Sequence, residues 1–315
     1  MPALPIRSHL IVALGEAMVE LAPTGQTDRF ALGFAGDTLN TAWYLRRLLG
    51  ADWQVDYATA LGTDAMSDRM AGFIAGAGLG TGRIRRLAGR SVGLYLIELA
   101  AGERSFAYWR GQSAARLLAD DPAALARMLH GAGLVYLSGI TLAILEGGDR
   151  DTLLRALDAA RAGGALVAFD PNLRPRLWPD SATMCRAVMQ AAARADILLP
   201  SHDDEAAHFG DADPEATARR YAGAGAPLVV VKNGAGAMTA LDRGALSTLQ
   251  PDPVPAIVDT TAAGDSFNAG FLAAHLTGRP LAQAMAEGAA LAAKVIAARG
   301  ALVAAATAKA AAAPS

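Results

Sequence analysis

The sequence predicts an α/β fold: a doubly wound, mainly parallel β-sheet with a small inserted β lid. Apolar, β-branched runs that end in small or polar residues recur along the 315 residues, and each is typical of a buried strand. Alanine- and leucine-rich segments with helical spacing lie between these runs, and one hairpin pattern interrupts the alternation. Strands that alternate with helices form right-handed βαβ units, and such units build a parallel sheet covered by helices.

The predicted strands and helices follow one another along most of the chain. Strands are expected at residues 9–15, 56–62, 134–139, 165–170, 197–201 and 228–234. Helical spacing is clearest at residues 38–49, 123–130, 152–161 and 184–194. Ligands of such a sheet bind beyond the carboxyl ends of its strands. Asp170, Ser201, Lys232 and Gly234 are therefore candidate site residues by position alone.

A hairpin pattern breaks the alternation of strands and helices. Residues 93–99 and 104–110 read as two strands joined by the four residues Ala-Ala-Gly-Glu. Because side chains alternate along a strand, Phe106, Tyr108 and Arg110 are expected on one face of the hairpin. Two aromatic rings and an arginine do not make an ordinary core face, so we expect this face to cover a site as a lid.

The domain organisation follows from these elements. We expect one domain over residues 1–315, with a discontinuous lid from about 16–34 and 91–111. Companion strands for the hairpin are expected at 16–21 and 30–34. The alanine-rich end, residues 301–315, is expected to be a disordered tail.

Charge and cysteine content exclude several classes of function. The 28 lysines and arginines against 30 aspartates and glutamates give a formal net charge of −2, which leaves no positive surplus for binding nucleic acid. The single cysteine, Cys185, cannot form an intramolecular disulfide, which is typical of a reducing compartment. The first residues lack the layout of a signal peptide, and no run of about 20 apolar residues occurs. We therefore expect a cytoplasmic protein that binds neither nucleic acid nor a membrane.

The stretch 259–265, Asp-Thr-Thr-Ala-Ala-Gly-Asp, precedes an apolar run with helical spacing. It is expected to be a loop entering a helix N-terminus, where unpaired N–H groups and the helix dipole bind anions. Small residues at 262–264 let a phosphate approach the backbone. Asp265 beside such an anion site is suited to accept a proton from an attacking hydroxyl, which suggests phosphoryl transfer. The alternative is that Asp265 only caps the helix.

The same stretch resembles the carboxy-terminal signature of the ribokinase-like (PfkB) carbohydrate kinases, and the chain lacks the G-x-x-x-x-G-K-[ST] pattern of a P-loop. Further motifs extend the resemblance over roughly residues 10–300. They are Gly15-Glu-Ala-Met-Val-Glu-Leu, Phe34-Ala-Gly-Asp-Thr-Leu-Asn-Thr-Ala, Ala60-Leu-Gly-Thr-Asp, Gly102-Glu-Arg-Ser-Phe-Ala-Tyr-Trp-Arg, Tyr136-Leu-Ser-Gly-Ile, Asp170-Pro-Asn-Leu-Arg-Pro-Arg-Leu-Trp and Val231-Lys-Asn-Gly. Together they are most similar to the family members that use ATP to phosphorylate 2-keto-3-deoxygluconate on its terminal C6 hydroxyl.

The resemblance implies a role for each matching residue. Asp265 is the implied base, and the implied anion hole consists of Ala262, Ala263 and Gly264. The residues implied to bind the sugar acid are Gly36, Asp37, Asn40, Tyr95, Tyr108, Arg110 and Arg174. The residues implied to bind ATP are Ser201, Lys232, Gly234 and Gly264.

Two cation sites are also implied. Asp259 and Thr261 match positions where family members bind a monovalent cation such as K⁺. Mg²⁺ is expected to be organised through water by an acid after the fifth predicted strand. Many relatives carry Asn-x-x-Glu there, whereas this chain has Ser-His-Asp-Asp ending at Asp204, and Asp203 and Glu205 remain alternatives.

An acid substrate suits this set of residues. The planar carboxylate of a 2-keto acid forms bidentate, charge-assisted hydrogen bonds with an arginine, which a neutral sugar does not need. A kinase of the galactonate epimer, a kinase of fructose or ribose, and a sugar-acid sensor without catalysis remain alternatives. By analogy with the family, a homodimer through the lid is expected.

Overall fold

The computed structural model describes residues 6–26, 28–100 and 103–308, which form two β-sheets and the helices around them. The strands are β1 (Leu10–Leu14), β2 (Met18–Pro23), β3 (Phe30–Ala35), β4 (Gln54–Leu61), β5 (Ile84–Arg86), β6 (Gly93–Ala100), β7 (Glu103–Trp109), β8 (Leu134–Ser138), β9 (Leu166–Asp170), β10 (Ile197–Leu198), β11 (Leu228–Val231), β12 (Met238–Asp242) and β13 (Ala245–Leu249). The helices are α1 (Asp37–Leu48), α2 (Ala65–Gly76), α3 (Pro122–Leu129), α4 (Gly139–Ala143), α5 (Gly147–Ala162), α6 (Ser181–Ala192), α7 (His202–Phe209), α8 (Pro214–Gly223), α9 (Ala263–Leu276) and α10 (Leu281–Ile296). Within these described ranges, every helix is too short or too polar to cross a lipid bilayer.

The larger sheet has nine strands in the order β13-β12-β11-β10-β9-β8-β1-β4-β5. From β11 to β5 all neighbours are parallel, whereas β12 and β13 pair antiparallel at one edge. The chain leaves β1 for β4 on one side and later enters β8 on the other side. The predicted doubly wound, mainly parallel sheet is confirmed, and its strand order reverses beside β1.

Two apolar cores lie on the two faces of this sheet, and β1 contributes to both. Ile11 and Ala13 belong to one core, whereas Val12 and Leu14 belong to the other. All four side chains are fully buried. Burial on both faces explains why the parallel strands appear in the sequence as uninterrupted apolar runs rather than as alternating patterns.

The smaller sheet has the strand order β3-β2-β6-β7. Strands β6 and β7 form the predicted antiparallel hairpin, with Tyr95 opposite Tyr108. The companion strands are also present, although β2 and β3 extend past the predicted ends at 21 and 34. Strand β2 pairs antiparallel with β3 and parallel with β6, so the segments near 16–34 and 91–111 join in one sheet.

Several elements were not predicted, including the edge hairpin of β12 and β13. Its turn carries a local signal, because Arg243 and Gly244 both have positive φ angles, of 47° and 88°. A two-residue turn with positive φ at both positions matches the right-handed twist of the strands it joins. The Asp-Arg-Gly sequence at 242–244 therefore indicates a hairpin that the sequence analysis overlooked.

The expectation of a disordered tail from residue 301 was wrong for residues 301–308. Ala301 and Ala306 are buried. The hydroxyl of the fully buried Tyr44 donates to the Ala301 carbonyl at 2.8 Å and accepts from the Val303 N–H at 2.9 Å. This segment is therefore anchored to α1 by hydrogen bonds that its alanine-rich sequence does not reveal. Residues 309–315 of the expected tail lie outside the described residues.

Candidate active site

The loop at 259–262 enters helix α9 through an unusual backbone turn. Asp259 holds the loop, because its carboxylate accepts the N–H groups of Thr261 and Gly300, each at 2.9 Å. Ala262 then adopts a left-handed conformation, with φ of 59°, immediately before the helix. This conformation costs an alanine about 1–2 kcal/mol, and such strain is concentrated at functional sites. The predicted loop-to-helix junction is confirmed.

The three residues of the expected anion hole differ in how their N–H groups are used. The Ala263 N–H donates to the Thr260 carbonyl at 3.2 Å, so the loop itself engages this donor. Among the described residues, no backbone carbonyl accepts from the N–H of Ala262 or Gly264. The N-terminus of α9 therefore offers two backbone donors for an anion, those of Ala262 and Gly264, together with the positive end of the helix dipole.

Asp265 follows in the same turn and meets two residues of α1. Its half-buried carboxylate accepts a hydrogen bond from the Asn40 side-chain amide at 2.8 Å. Burial and the nearby negative charge of Asp37 raise the pKa of Asp265 to about 7, although the Asn40 hydrogen bond opposes the rise. Asp37 in turn accepts the side-chain amide of Asn172 at 2.7 Å. The fold thus brings together Asp37, Asn40 and Asp265, as the sequence predicted, and adds Asn172.

A close backbone contact fixes the start of α1. A Cβ atom at Gly36 would lie 2.4 Å from the carbonyl oxygen of Glu16, so only glycine fits at this position. Ala35, the residue before Gly36, is buried in a cluster with Met18 and Tyr95. Its methyl group therefore packs between side chains of the neighbouring strands of the smaller sheet.

A buried polar network lies beside Asp265. The Lys232 ammonium donates to Asp170 Oδ2 at 3.0 Å and to Asn268 Oδ1 at 3.2 Å. The Asn268 amide donates to Asp170 Oδ2 at 2.7 Å and to the Tyr136 hydroxyl at 3.0 Å. Thr41 joins this hydroxyl to the Asp265 carbonyl oxygen through contacts of 3.2 Å each. Asn268 and Tyr136 were not among the predicted site residues, although an asparagine within an apolar helix is a signal of such a network.

A cleft of about 750 Å³ opens on the other side of the α9 N-terminus. All four residues expected to bind ATP line it: Ser201, Lys232, Gly234 and Gly264. Its walls also include Ile257, Phe267 and alanines of α10. Gly234 has a φ of 52°, a conformation in which other residues are strained. Sites for cofactors are typically apolar clefts of this size with a few placed polar groups.

The smaller sheet turns an aromatic face toward the α9 loop. The ring centroids of Tyr95, Phe106 and Tyr108 lie 5.9 to 6.2 Å apart, which confirms that the two residues of β7 share a face. The Tyr95 hydroxyl donates to the Glu20 carboxylate. Tyr95 also belongs to a small buried cluster against which Ala262 packs. This face therefore contacts the loop that carries the anion site.

Arg110, expected to hold a carboxylate, is already paired in this structure. Its guanidinium donates to the carboxylate of Glu16, whose side chain is almost fully buried. The Arg110 Nε atom and the Glu16 Oε1 atom are buried, and neither has a hydrogen-bond partner among the described residues. Glu16 was not among the predicted site residues, and its position directly after Gly15 at the end of β1 was the available signal. The pair leaves Arg110 only part of its donor set for a ligand.

Arg174 lies at the rim, and acids at the start of α7 lie near it. The Arg174 side chain is 51% exposed, and it lies 3.8 Å from Asp204 Oδ2. Burial raises the pKa of Asp204, whereas the positive charge of Arg174 opposes the rise. Glu205 was left open as a magnesium residue, but it is fully buried and bound by Arg220 at 2.7 Å and by Tyr221 at 3.0 Å. It therefore serves the packing of α7 against α8.

Comparisons with known proteins agree with this arrangement. The sequence profile of the family described as "pfkB family carbohydrate kinase" matches residues 8–308. The 2-dehydro-3-deoxygluconokinase of Dickeya dadantii is 41% identical over 300 residues, which cover 93% of this chain and 96% of the relative. A PfkB protein from Polaromonas sp. JS666 has a crystal structure with a TM-score of 0.78 and 30% identity, covering 90% of this chain and 94% of that chain. The structure of a fructokinase with bound ATP from Xylella fastidiosa has a TM-score of 0.79 and 25% identity, covering 93% of this chain and 94% of the fructokinase chain. The chain therefore belongs to the pfkB family of carbohydrate kinases.

Proposed function

We propose that this protein is a 2-keto-3-deoxygluconate kinase, which uses ATP and Mg²⁺ to form 2-keto-3-deoxy-6-phosphogluconate. The observation that carries the proposal is the position of Asp265, between the donors of the α9 N-terminus and the side chains of α1. The name of the Dickeya dadantii relative supports this substrate, since it is 41% identical over nearly the whole of both chains.

The proposed chemistry is an in-line transfer of the γ-phosphoryl group. The C6 hydroxyl oxygen forms a bond to the γ-phosphorus, and the bond to the bridging oxygen of ADP breaks. The proton of the hydroxyl passes to Asp265, whose pKa of about 7 suits a base at neutral pH. Backbone N–H groups at Ala262 and Gly264 stabilise the negative charge of the transferred group.

Substrate selection rests on side chains around the lid face. Arg174 is exposed at the rim and has donors available for the carboxylate of the sugar acid. Arg110, held by Glu16, contributes through its remaining donors. Tyr95 and Tyr108 cover the sugar, whereas Gly36, Asp37 and Asn40 bind its hydroxyl groups. When the lid sheet closes over the sugar, it excludes water and limits ATP hydrolysis.

ATP occupies the 750 Å³ cleft beside Gly264. The fructokinase of Xylella fastidiosa, whose fold this chain shares, was solved with ATP bound. Within the described residues, no three acidic, histidine or cysteine side chains are grouped to hold a metal ion, which suits Mg²⁺ held mainly by phosphates. Asp204 is the carboxylate that organises this ion through water, and Mg²⁺ supplies charge neutralisation of the phosphates.

Two further properties are proposed from the family resemblance. A monovalent cation such as K⁺ binds at the loop of Asp259 and Thr261, which precedes the strained turn at Ala262. Two copies of the chain pair through their lid sheets, since Trp109 of β7 remains 61% exposed in one copy. Activity in KCl against tetramethylammonium chloride tests the first property, and light scattering of the purified protein tests the second.

ADP release tests the proposed function directly. The panel is 2-keto-3-deoxygluconate, its galactonate epimer, gluconate, fructose and ribose, each with Mg-ATP. We expect turnover confined to the two keto-deoxy acids, with kcat/KM for the two epimers identifying the preferred one. Preference for fructose or ribose would contradict the roles of Arg110 and Arg174. Binding of the sugar acid without ADP release would favour a sensor.

A further inference from the structure

Lys232 is a buried cation beside the junction of the nucleotide cleft and the α9 N-terminus. Its side chain is only 10% exposed, yet it lines the cleft together with Gly264. A Cβ atom at Gly264 would lie 3.4 Å from the Lys232 ammonium nitrogen. The ammonium is therefore next to the backbone that offers donors to a phosphate.

The hydrogen bonds of Lys232 leave one of its donors available. An ammonium group has three N–H donors and no acceptor. Asp170 and Asn268 accept two of them, at 3.0 and 3.2 Å, and no third acceptor is found for it among the described residues. Asn268 also donates to Asp170, so the three side chains form a closed triangle that fixes the position of the ammonium.

A buried ion pair of this kind requires a reason beyond stability. Removing two charges from water costs about as much as their attraction returns, so well-packed apolar residues of similar volume would serve the core as well. A fixed positive charge facing an anion site does have a function, because preorganised charges stabilise a transition state without reorganisation. The Lys232 side chain enters this position from the end of β11, at the carboxyl edge where the sheet binds ligands.

We propose that Lys232 is a catalytic residue that donates its third N–H to a non-bridging oxygen of the γ-phosphoryl group during transfer, with Asp170 and Asn268 as its positioning residues. The inference rests on the proposed kinase function. Lys232 was expected to bind ATP, and the inference adds a contact to the transferred phosphoryl group that forms fully only in the transition state. The bond changes are unchanged: the sugar oxygen bonds to phosphorus, ADP leaves with the electron pair, and Asp265 takes the proton.

The test compares Lys232→Met with Lys294→Met, which removes an exposed lysine from the neighbouring surface of α10. We expect kcat to fall about 10²- to 10³-fold in Lys232→Met alone, the usual loss on removing one donor to a developing anion. Binding of ADP, and KM for the sugar, should stay within about threefold of wild type. Affinity for ADP with aluminium fluoride, a mimic of the transferred phosphoryl group, should fall in parallel with kcat.

Two results would overturn the proposal. One is a folded Lys232→Met variant with kcat within threefold of wild type. The other is an equal loss of affinity for ADP and for ADP with aluminium fluoride, which would make Lys232 an ordinary nucleotide contact. If Lys232→Met does not fold because Asp170 loses its partner, Lys232→Gln keeps a donor to Asp170 without the charge, and the same measurements apply.

A double-mutant cycle tests the positioning role of Asp170. We expect Asp170→Asn to lower kcat about tenfold in the wild-type background and to cause no further loss in the Lys232→Met background, because the two residues act as a unit. Equal effects in both backgrounds would show that Asp170 acts independently of Lys232. Should the wild-type enzyme use another sugar, the proposed substrate fails, but these measurements with the accepted sugar still test Lys232.

Discussion

Asn40 donates from its side-chain amide to Asp265 Oδ2 at 2.8 Å, which joins the first turn of α1 to the first turn of α9. The bond stabilises the ionised form of Asp265, whereas burial and the charge of Asp37 favour the protonated form. The balance gives a pKa of about 7, close to the value at which a general base is most effective at neutral pH. Residues of α1 therefore orient the Asp265 carboxylate, which belongs to α9, and adjust its pKa.

Replacing this carboxylate tests its role as the base. In Asp265→Asn the amide cannot accept the proton of the attacking hydroxyl, so we expect kcat to fall about 10²- to 10⁴-fold. Binding of ATP and of the sugar acid should be largely kept, because asparagine preserves the shape of the site. Steady-state kinetics and calorimetric titrations measure both quantities. Near-normal turnover would mean that Asp265 only joins α9 to α1 through Asn40.

The raised pKa of Asp265 predicts the pH dependence of the reaction. The base works only when ionised, so kcat/KM for the sugar acid at saturating Mg-ATP should rise with pH and level off above about 7. Below that value it should fall about tenfold for each pH unit. In Asp37→Asn the neighbouring negative charge is absent, which lowers the pKa of Asp265 and shifts this limb to lower pH. If kcat/KM fell at the same pH in the wild-type protein and in Asp37→Asn, the coupling of these two carboxylates would be contradicted.

The fold was predictable because parallel strands that are buried on both faces consist of uninterrupted apolar residues, which are visible in the sequence. The positions of Asp170 and Lys232 at the ends of predicted strands identified them as candidate site residues. The alternation of side chains along a strand predicted that Phe106 and Tyr108 share a face. The partners of these residues were not predictable in the same way, because hydrogen bonds such as Lys232 to Asn268 join positions far apart in the chain. The order of the alanine-rich segment after residue 300 was not predicted for the same reason, because its position depends on a hydrogen bond from the distant Tyr44.

Arg174 and its neighbour Arg176 offer a matched pair for testing recognition of the substrate carboxylate. Both are exposed and flank Pro175, but only Arg174 lies 3.8 Å from Asp204 at the start of α7. We expect Arg174→Met to raise KM for the sugar acid about 10- to 150-fold, the equivalent of a lost charge-assisted hydrogen bond of about 1.5–3 kcal/mol. Arg176→Met should leave KM unchanged. Equal effects of the two substitutions would indicate a general electrostatic attraction instead.

Tyr44 links the C-terminal segment to the site. Its hydroxyl bonds to Ala301 and Val303, and Ala301 packs in the same cluster as Tyr95 and Ala262. Tyr44→Phe leaves a buried carbonyl and a partly buried N–H without partners, so we expect a loss of about 1–3 kcal/mol in the free energy of unfolding by urea. Tyr108→Phe, at an exposed ring, should cost less than about 0.5 kcal/mol. Because the freed segment contacts the anion-site loop, kcat should also fall in Tyr44→Phe, whereas unchanged kcat would separate this anchor from catalysis.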